Sequence, residues 1–175
     1  LAITGGGVIS HLGAQKESLW HADEGRDLSS EKFLQGFEPE IPEPRVLAKD
    51  KFPEACVGQM CDFDPAAQLG QRGIRNFDRL TKAMIIAAKF ALEDAKIKTG
   101  GEFIALSPDR VGICSSTAYG SLEAITELKI ITELEDPRYL NPARFPNTVI
   151  NAAAGYVSIW ENLRAPNVTI VNGNT

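Results

Sequence analysis

The stretch that decides the fold is Ala165-Pro166-Asn167-Val168-Thr169-Ile170-Val171-Asn172-Gly173-Asn174, close to the last residue of the sequence. Pro166 cannot continue the helical pattern that precedes it, so we expect a helix to end there. The β-branched residues from Val168 to Val171 predict a strand. Asn172-Gly173 then predicts a sharp turn, which presents Asn174 just beyond the strand.

Upstream of this strand, helical and strand patterns alternate. Apolar residues at spacings of three and four predict helices from about Phe77 to Lys96, from about Ser121 to Leu134, and from an N-cap at Asn147 to Pro166. Arg110 to Ser115 predicts a central strand, and residues 1–10 predict a short buried strand that runs into Gly5-Gly6-Gly7. This alternation predicts an α/β fold with a parallel sheet and crossover helices.

The first predicted helix has an apolar stripe that consists mostly of alanine. Such small side chains indicate that another part of the chain packs unusually close to this helix. The stripe contains Leu80, Ala83, Met84, Ala87, Ala88, Ala91, Leu92 and Ala95.

A chain of 175 residues has the size of one domain. Within it, residues 21–70 contain several prolines and no sustained hydrophobic period. We interpret this segment as a loop-rich surface elaboration with one or two short helices, and we expect a single domain over residues 1–175.

Composition excludes several classes of function. A net charge of −5 argues against general nucleic-acid binding, and no run approaches the ~18 apolar residues of a membrane span. The three cysteines and the absence of a signal peptide predict reduced thiols and a cytoplasmic location. We expect no metal site, because His11 and His21 lack partners at metal-ligand spacing.

A local basic cluster departs from this acidic balance. Arg72, Arg75, Arg79 and Lys82 face a single acidic residue, Asp78. From composition alone the cluster is either a solvated entrance to the first helix or a site for an acidic partner.

Taken in order, six segments of the sequence resemble the β-ketoacyl synthases, the condensing enzymes of fatty-acid and polyketide synthesis. The resemblance implies a thiolase-like fold made of two similar α/β halves, of which this chain covers the N-terminal half and lacks the second. The segments are Ile3–Ser10, Arg72–Arg79, Arg110–Ile113, Phe145–Thr148, Asn151–Gly155 and Ala165–Ile170.

The glycines of the first segment also allow a dinucleotide-binding interpretation. Gly5 and Gly7 fit the first two glycines of that fingerprint, but Ser10 stands at its sixth position and no clean helix follows. A glycine turn that lets the chain pack tightly explains the segment better, so we expect no cofactor.

The resemblance places the family's nucleophile position at Asn174. In the family a cysteine stands there, at the start of a buried helix whose N-terminus stabilises the thiolate that accepts the acyl chain. An asparagine carboxamide is not a nucleophile at neutral pH, because its nitrogen lone pair is delocalised. The family's paired histidines come from the second half, so this chain by itself is not expected to condense acyl groups.

The resemblance carries over two further surfaces. Arg72 and Arg75 match basic residues that receive the acidic acyl carrier protein. Residues Phe145, Asn147, Val168 and Ile170 match the dimer-forming region, where the strand near Val168 would pair across a two-fold axis in a homodimer or in a heterodimer with a ketosynthase. The alternative is that Phe145 and its neighbouring aromatic residues belong to the core only.

Three functions remain open on the sequence. The first is a condensation-incompetent partner subunit of chain-length-factor type, which shapes the acyl site of an active synthase. The second is a malonyl-carrier-protein decarboxylase, although family members of that kind carry glutamine, which is one methylene longer. The third is an ordinary 3-oxoacyl-carrier-protein synthase with an engineered or misread residue 174. In every case we expect that residues 1–175 do not fold alone, because the alanine stripe and Val168–Ile170 would stay exposed.

Overall fold

The computed structural model describes residues 2–10 and 63–171. The chain separates into two units, Leu1–Gly7 together with Pro65–Thr175, and Val8–Asp64. Of the second unit, residues 8–10 and 63–64 are described. Most of the predicted loop-rich segment 21–70 therefore lies outside the described residues, and the single-domain organisation stays a prediction.

Two helices open the described part of the first unit. Helix α1 spans Pro65–Leu69 and helix α2 spans Arg79–Asp94. The carboxylate of Asp78 caps α2 by accepting a hydrogen bond of 2.9 Å from the backbone N–H of Thr81. After α2 the chain turns at Lys96, whose φ of 54° is left-handed. The predicted helix over residues 77–96 is confirmed, with its ends moved inward by two residues.

Within residues 2–10 and 63–171, the strands form two separate pairs. Strands β1 (Lys98–Thr99) and β2 (Glu102–Phe103) form an antiparallel hairpin. Strands β3 (Ile113–Ser116) and β4 (Asn167–Ile170) pair in parallel, with Ile113 opposite Asn167. The predicted parallel arrangement is confirmed for β3 and β4, although the central strand predicted over Arg110–Ser115 begins at Ile113, because Pro108–Arg110 forms a 3₁₀ turn.

Two helices and short 3₁₀ segments complete the described part of the chain between β2 and β4. Helix α3 spans Leu122–Leu134, with Ser121 as its N-cap, which confirms the second predicted helix. Helix α4 spans Ala152–Glu161 and ends at Asn162, which has a left-handed φ of 56°. The 3₁₀ helices are Pro108–Arg110, Pro137–Tyr139 and Pro142–Thr148.

The prediction of Asn147 as the N-cap of the third helix is wrong, and so is the helix end at Pro166. Asn147 lies within the 3₁₀ helix Pro142–Thr148, and α4 begins at Ala152. The side chain of Asn147 points inward, where its Nδ2 donates to the backbone carbonyl of Asn76 at 2.6 Å. Because this amide is engaged in a tertiary hydrogen bond, it does not cap the helix that follows.

The predicted strand over residues 1–10 is also wrong, since residues 2–9 form no strand. The backbone N–H of Gly6 donates instead to the carboxylate of Asp94, at 2.9 Å. A Cβ atom on Gly5 would lie 2.8 Å from Cα of Ala95, and one on Gly7 would lie 2.7 Å from the backbone nitrogen of Ala91. The glycine stretch therefore packs directly on the alanine stripe of α2, which confirms the predicted close approach.

The core lies between α2 and α4. Its fully or nearly buried apolar side chains are Ile85, Leu92, Val157 and Leu163. One ion pair is buried beside them, because Lys98 Nζ lies 2.6 Å from Glu161 Oε2 and both side chains are about nine-tenths buried or more.

Candidate functional site

The position that the family resemblance assigns to the nucleophile lies just beyond the described residues. Strand β4 ends at Ile170, and Asn174 is outside the described residues. The hydroxyl groups of Ser115 and Thr169 bond across β3 and β4 at 2.8 Å, so the strand that leads toward Asn174 is held in register. The assignment of Asn174 to the nucleophile position stays a prediction.

The basic residues chosen from the sequence lie on a short segment before α2, which we call the arginine segment (residues 72–77). Arg72 and Arg75 are exposed. Between them, Gly73 has a left-handed φ of 85°, and Ile74 is buried with 8% of its surface exposed. The segment therefore anchors itself through Ile74 while it presents the two guanidinium groups to solvent.

Aromatic packing fixes the other end of the arginine segment. The ring of Phe77 lies 4.5 Å from the ring of Tyr156 and 5.8 Å from that of Trp160, with the second pair nearly edge-to-face. The backbone N–H of Phe77 donates to the carbonyl of Ile74 at 3.2 Å, which closes a turn. The sequence pointed to the arginines, but it did not predict that Phe77 packs against Tyr156 and Trp160 of α4.

The four residues predicted for a dimer interface do not share one environment. Phe145, Val168 and Ile170 are 56%, 51% and 48% exposed, which is high for apolar side chains. Asn147 is only 2% exposed. The side chains of Phe145, Val168 and Ile170 are accessible to a partner. Asn147 is buried inside this chain, so it could affect such an interface only by fixing the position of neighbouring residues.

The exposed apolar residues of β4 form one face. Side chains alternate along a strand, so Val168 and Ile170 point to the same side and Thr169 to the other. Thr169 is half-buried and bonded to Ser115, which leaves the opposite side of the strand as the apolar face.

Helix α3 adds an apolar surface whose exposure sequence reasoning missed. Ala124 is its one buried residue, and several large apolar side chains are 40% exposed or more. The helical spacing of apolar residues predicts the helix, but it cannot show which of these side chains the rest of the chain covers. These exposed side chains are Leu122, Ile125, Ile130 and Leu134.

A small cavity of about 160 Å³ lies between α3 and the 3₁₀ helices that follow it. Leu128, Ile131 and Leu140 supply apolar walls. At this junction Arg144 forms an ion pair with Glu127, which attaches the 3₁₀ helix Pro142–Thr148 to α3.

The pKa shifts in the turn after α3 arise from one local ion pair, Asp136 with Arg138. Hydrogen bonds from Arg138 lower the pKa of the Asp136 carboxyl group and raise the pKa of the arginine itself. Arg138 is exposed and Asp136 is partly exposed in the 3₁₀ turn after α3, where solvent weakens their interaction.

The described residues contain neither a cluster of metal ligands nor a helix suited to a membrane. Within residues 2–10 and 63–171, no group of three or more His, Cys, Asp or Glu side chains could hold a metal ion. Among the helices of the described part of the chain, none is long and apolar enough to cross a membrane.

Residues 1–173 match the family model for the beta-ketoacyl synthase N-terminal domain. This chain belongs to the β-ketoacyl synthase family. It is similar to the 3-oxoacyl-[acyl-carrier-protein] synthase 2 of Coxiella burnetii, with 31% identity over 100% of this chain and 39% of that protein. The synthase 2 of Vibrio harveyi is 28% identical over 97% of this chain and 37% of its own length. The chain thus spans about two-fifths of these relatives.

Solved ketosynthase structures have the same fold as this chain. The ishigamide ketosynthase/chain length factor superposes with a TM-score of 0.65 at 25% identity, covering 97% of this chain and 43% of that one. A beta-ketoacyl synthase from Burkholderia phymatum superposes with a TM-score of 0.65 at 19% identity, which shows the fold alone. The predicted thiolase-like α/β fold, limited to an N-terminal half, is confirmed.

Proposed function

We propose that this chain is the N-terminal part of a condensation-incompetent partner subunit in fatty-acid or polyketide synthesis, of the chain-length-factor type. The observation that carries the proposal is the asparagine at position 174, where the family resemblance places the nucleophile. A carboxamide does not form the thioester that condensation requires. Such a subunit would pair with an active synthase and shape the acyl site between them.

The exposed apolar side chains support a paired subunit. Phe145, Val168 and Ile170 are each about half exposed, and burial of such apolar side chains against a partner would be favourable. The similarity to the ishigamide ketosynthase/chain length factor points the same way. A two-fold arrangement with a ketosynthase, or with a second copy, would cover these residues.

The second partner we propose is an acyl carrier protein, received by Arg72 and Arg75. Both arginines are exposed on a segment whose backbone is anchored by Ile74 and Phe77. Cations presented in this way would attract an acidic carrier and orient it toward the acyl site. We place the subunit in the cytoplasm with these partners.

The test uses the polypeptide as its gene encodes it, expressed alone and together with the ketosynthases of the same organism. We expect no chain extension by the protein alone, co-purification with a ketosynthase, and extension by the pair. The matched variant is Asn174→Cys, which supplies a thiol at the proposed nucleophile position. Labelling of that thiol by an acyl donor would support the placement of residue 174. Extension by the unaltered protein alone would overturn the proposal.

The carboxamide at position 174 also favours a second candidate function, decarboxylation of malonyl carrier protein without condensation. Release of carbon dioxide with no extended product would identify this activity, and the Asn174→Ala variant should then lose it. An ordinary synthase is the third candidate. Sequencing the gene tests it, because an asparagine codon at position 174 would exclude a misread or engineered residue.

A further inference from the structure

One buried side chain connects the two proposed surfaces. Asn147 lies in the 3₁₀ helix Pro142–Thr148, two residues after the exposed Phe145. Its Nδ2 donates at 2.6 Å to the backbone carbonyl of Asn76, a residue 71 positions away in the sequence. Asn76 lies in the arginine segment, directly after Arg75.

We propose that Asn147 is a positioning residue for the arginine segment, and that it holds Arg75 and Arg72 in the orientation that an acyl carrier protein meets. The inference rests on the proposed carrier-protein site and deepens it. It also gives Asn147 a role inside this chain, beside the dimer region to which the family resemblance assigns it.

The geometry explains why the donor on this side chain matters. Ile74 and Phe77 hold the segment through apolar and aromatic contacts, and the hydrogen bond from the Phe77 N–H to the Ile74 carbonyl closes the turn between them, but none of these contacts reaches the 3₁₀ helix Pro142–Thr148. The hydrogen bond from Asn147 fixes the carbonyl of Asn76, and with it the Asn76–Phe77 peptide, one residue beyond Arg75. A segment that is ordered before binding loses less conformational entropy when the carrier arrives.

The other end of the same 3₁₀ helix is anchored as well. Arg144 pairs with Glu127 on α3, so the helix that carries Asn147 is attached both to α3 and to the arginine segment. The Oδ1 atom of Asn147 is buried and has no hydrogen-bond partner in the described part of the chain. The donor side of the amide therefore makes the contact that spans the two segments.

The experiment replaces this donor with an acceptor in the full polypeptide, through Asn147→Asp. The two side chains have nearly the same shape, but a carboxylate oxygen would face the carbonyl oxygen of Asn76. Binding of a fluorescently labelled acyl carrier protein is measured by anisotropy. We expect the dissociation constant to rise about fivefold to tenfold, the size that the loss of one hydrogen bond carries.

A matched control removes the effect of the added negative charge. Asn141→Asp makes the same chemical change at the start of the same 3₁₀ helix. Its side-chain oxygen accepts a hydrogen bond from the N–H of Ala143, which an aspartate also does. Carrier binding should change less than twofold in this variant. An equal loss in both variants would attribute the effect to charge and overturn the inference.

A double-mutant cycle separates positioning from general destabilisation. Asn147→Asp is combined with Arg72→Ala/Arg75→Ala, which removes the groups that Asn147 is proposed to orient. We expect Asn147→Asp to add little further loss in that background. Full additivity would overturn the inference while leaving the carrier site in place. If the arginine variant alone binds the carrier normally, the proposed carrier site fails, and this inference fails with it.

Hydrogen exchange on the unaltered protein gives an independent test that does not depend on the variant folding. The N–H of Phe77 donates to the carbonyl of Ile74 within the arginine segment. We expect this amide to exchange far more slowly than in an unfolded peptide, because the segment is fixed before the carrier binds. Exchange at the unfolded rate would show a mobile segment and overturn the inference.

Discussion

Helices α2 and α3 both have an apolar side, but they differ in what covers it. On α2, Ile85 and Ile86 are 0% and 1% exposed. On α3, Ala124 is the one buried residue, and Leu134 is 79% exposed. The pattern that predicts a helix is equally clear in both. Helix α2 packs along α4 within the described chain, whereas α3 packs mainly against the short 3₁₀ helices that follow it and keeps much of its apolar side exposed.

For the free energy of unfolding, the largest difference between the two regions is expected when an ion pair is broken. Lys98 and Glu161, beside the α2–α4 core, are buried and 2.6 Å apart. Replacing Lys98 by Met leaves a buried carboxylate without its counter-charge, which should lower the free energy of unfolding by about 3–5 kcal/mol. Urea denaturation of the full polypeptide measures this loss.

The control for this prediction is on α3. Lys129 and Glu133 form an exposed pair with a separation of 3.9 Å, and Lys129→Met should change stability by at most about 0.5 kcal/mol. The double variant Lys98→Met/Glu161→Leu should recover most of the loss, because no uncompensated charge remains. Equal losses for Lys98→Met and Lys129→Met would contradict the distinction between the two regions.

The next effect compares one isoleucine on each helix. Ile85→Ala should destabilise the protein by about 2–5 kcal/mol, because the lost side chain leaves a cavity between α2 and α4. Ile125, on α3, is 40% exposed, and Ile125→Ala should cost about 0.5 kcal/mol in the protein without a partner. Thermal unfolding at low protein concentration measures both variants. A large loss at Ile125 under those conditions would mean that α3 is covered by the chain itself.

A smaller effect is expected at the two helix N-caps. Asp78 accepts from Thr81 at 2.9 Å and is 4% exposed, whereas Ser121 accepts from Ala124 at 3.3 Å. Removal of either cap by alanine should cost about 0.5–2 kcal/mol, and we expect Asp78→Ala to lie at the upper end of that range. Circular dichroism during urea unfolding measures both losses. The reverse order would show that the longer cap bond of α3 is the stronger one.

Helices α2 and α3 could be predicted from the sequence because their signals are local. Asp78 and Ser121 precede clear 3.6-residue periods, and the structure places α2 and α3 where those periods begin. The β-branched run in 167–170 likewise predicted β4. In each case the residues that decide the element are neighbours in the sequence, so a short window contains the physical cause.

The errors have the opposite origin. Judged from its sequence neighbours alone, Asn147 resembles an N-cap, but its side-chain amide donates a hydrogen bond to Asn76, 71 residues away. The glycine stretch at the N-terminus resembles the end of a strand, but it packs on the alanines of α2 and bonds to Asp94. The buried partner of Lys98 was equally invisible, since the sequence does not show which two charged residues meet. The same distinction applies to the candidate site. The arginines could be chosen from the sequence, whereas the residues that hold their segment in place, Ile74, Tyr156 and Trp160, could not.

The smallest change in the free energy of unfolding is expected on β4, where the comparison between the two regions can be tested most directly. Val168 is 51% exposed, so Val168→Lys should change the stability of the unpaired protein by less than about 0.5 kcal/mol. The same lysine would place a charge in the centre of the proposed apolar contact with a ketosynthase, and association should weaken by about 2 kcal/mol or more, as for a residue that anchors an interface.

Thr169 is the matched control for unpaired stability, because it lies on the opposite side of the same strand, bonded to Ser115. Thr169→Val should lower unpaired stability and leave association unchanged. Analytical ultracentrifugation with the co-purified ketosynthase measures association. If Val168→Lys strongly destabilises the folded protein but leaves the affinity intact, this side of β4 belongs to the core of the chain, and the division between a self-sufficient α2–α4 region and a partner-facing α3–β4 region fails.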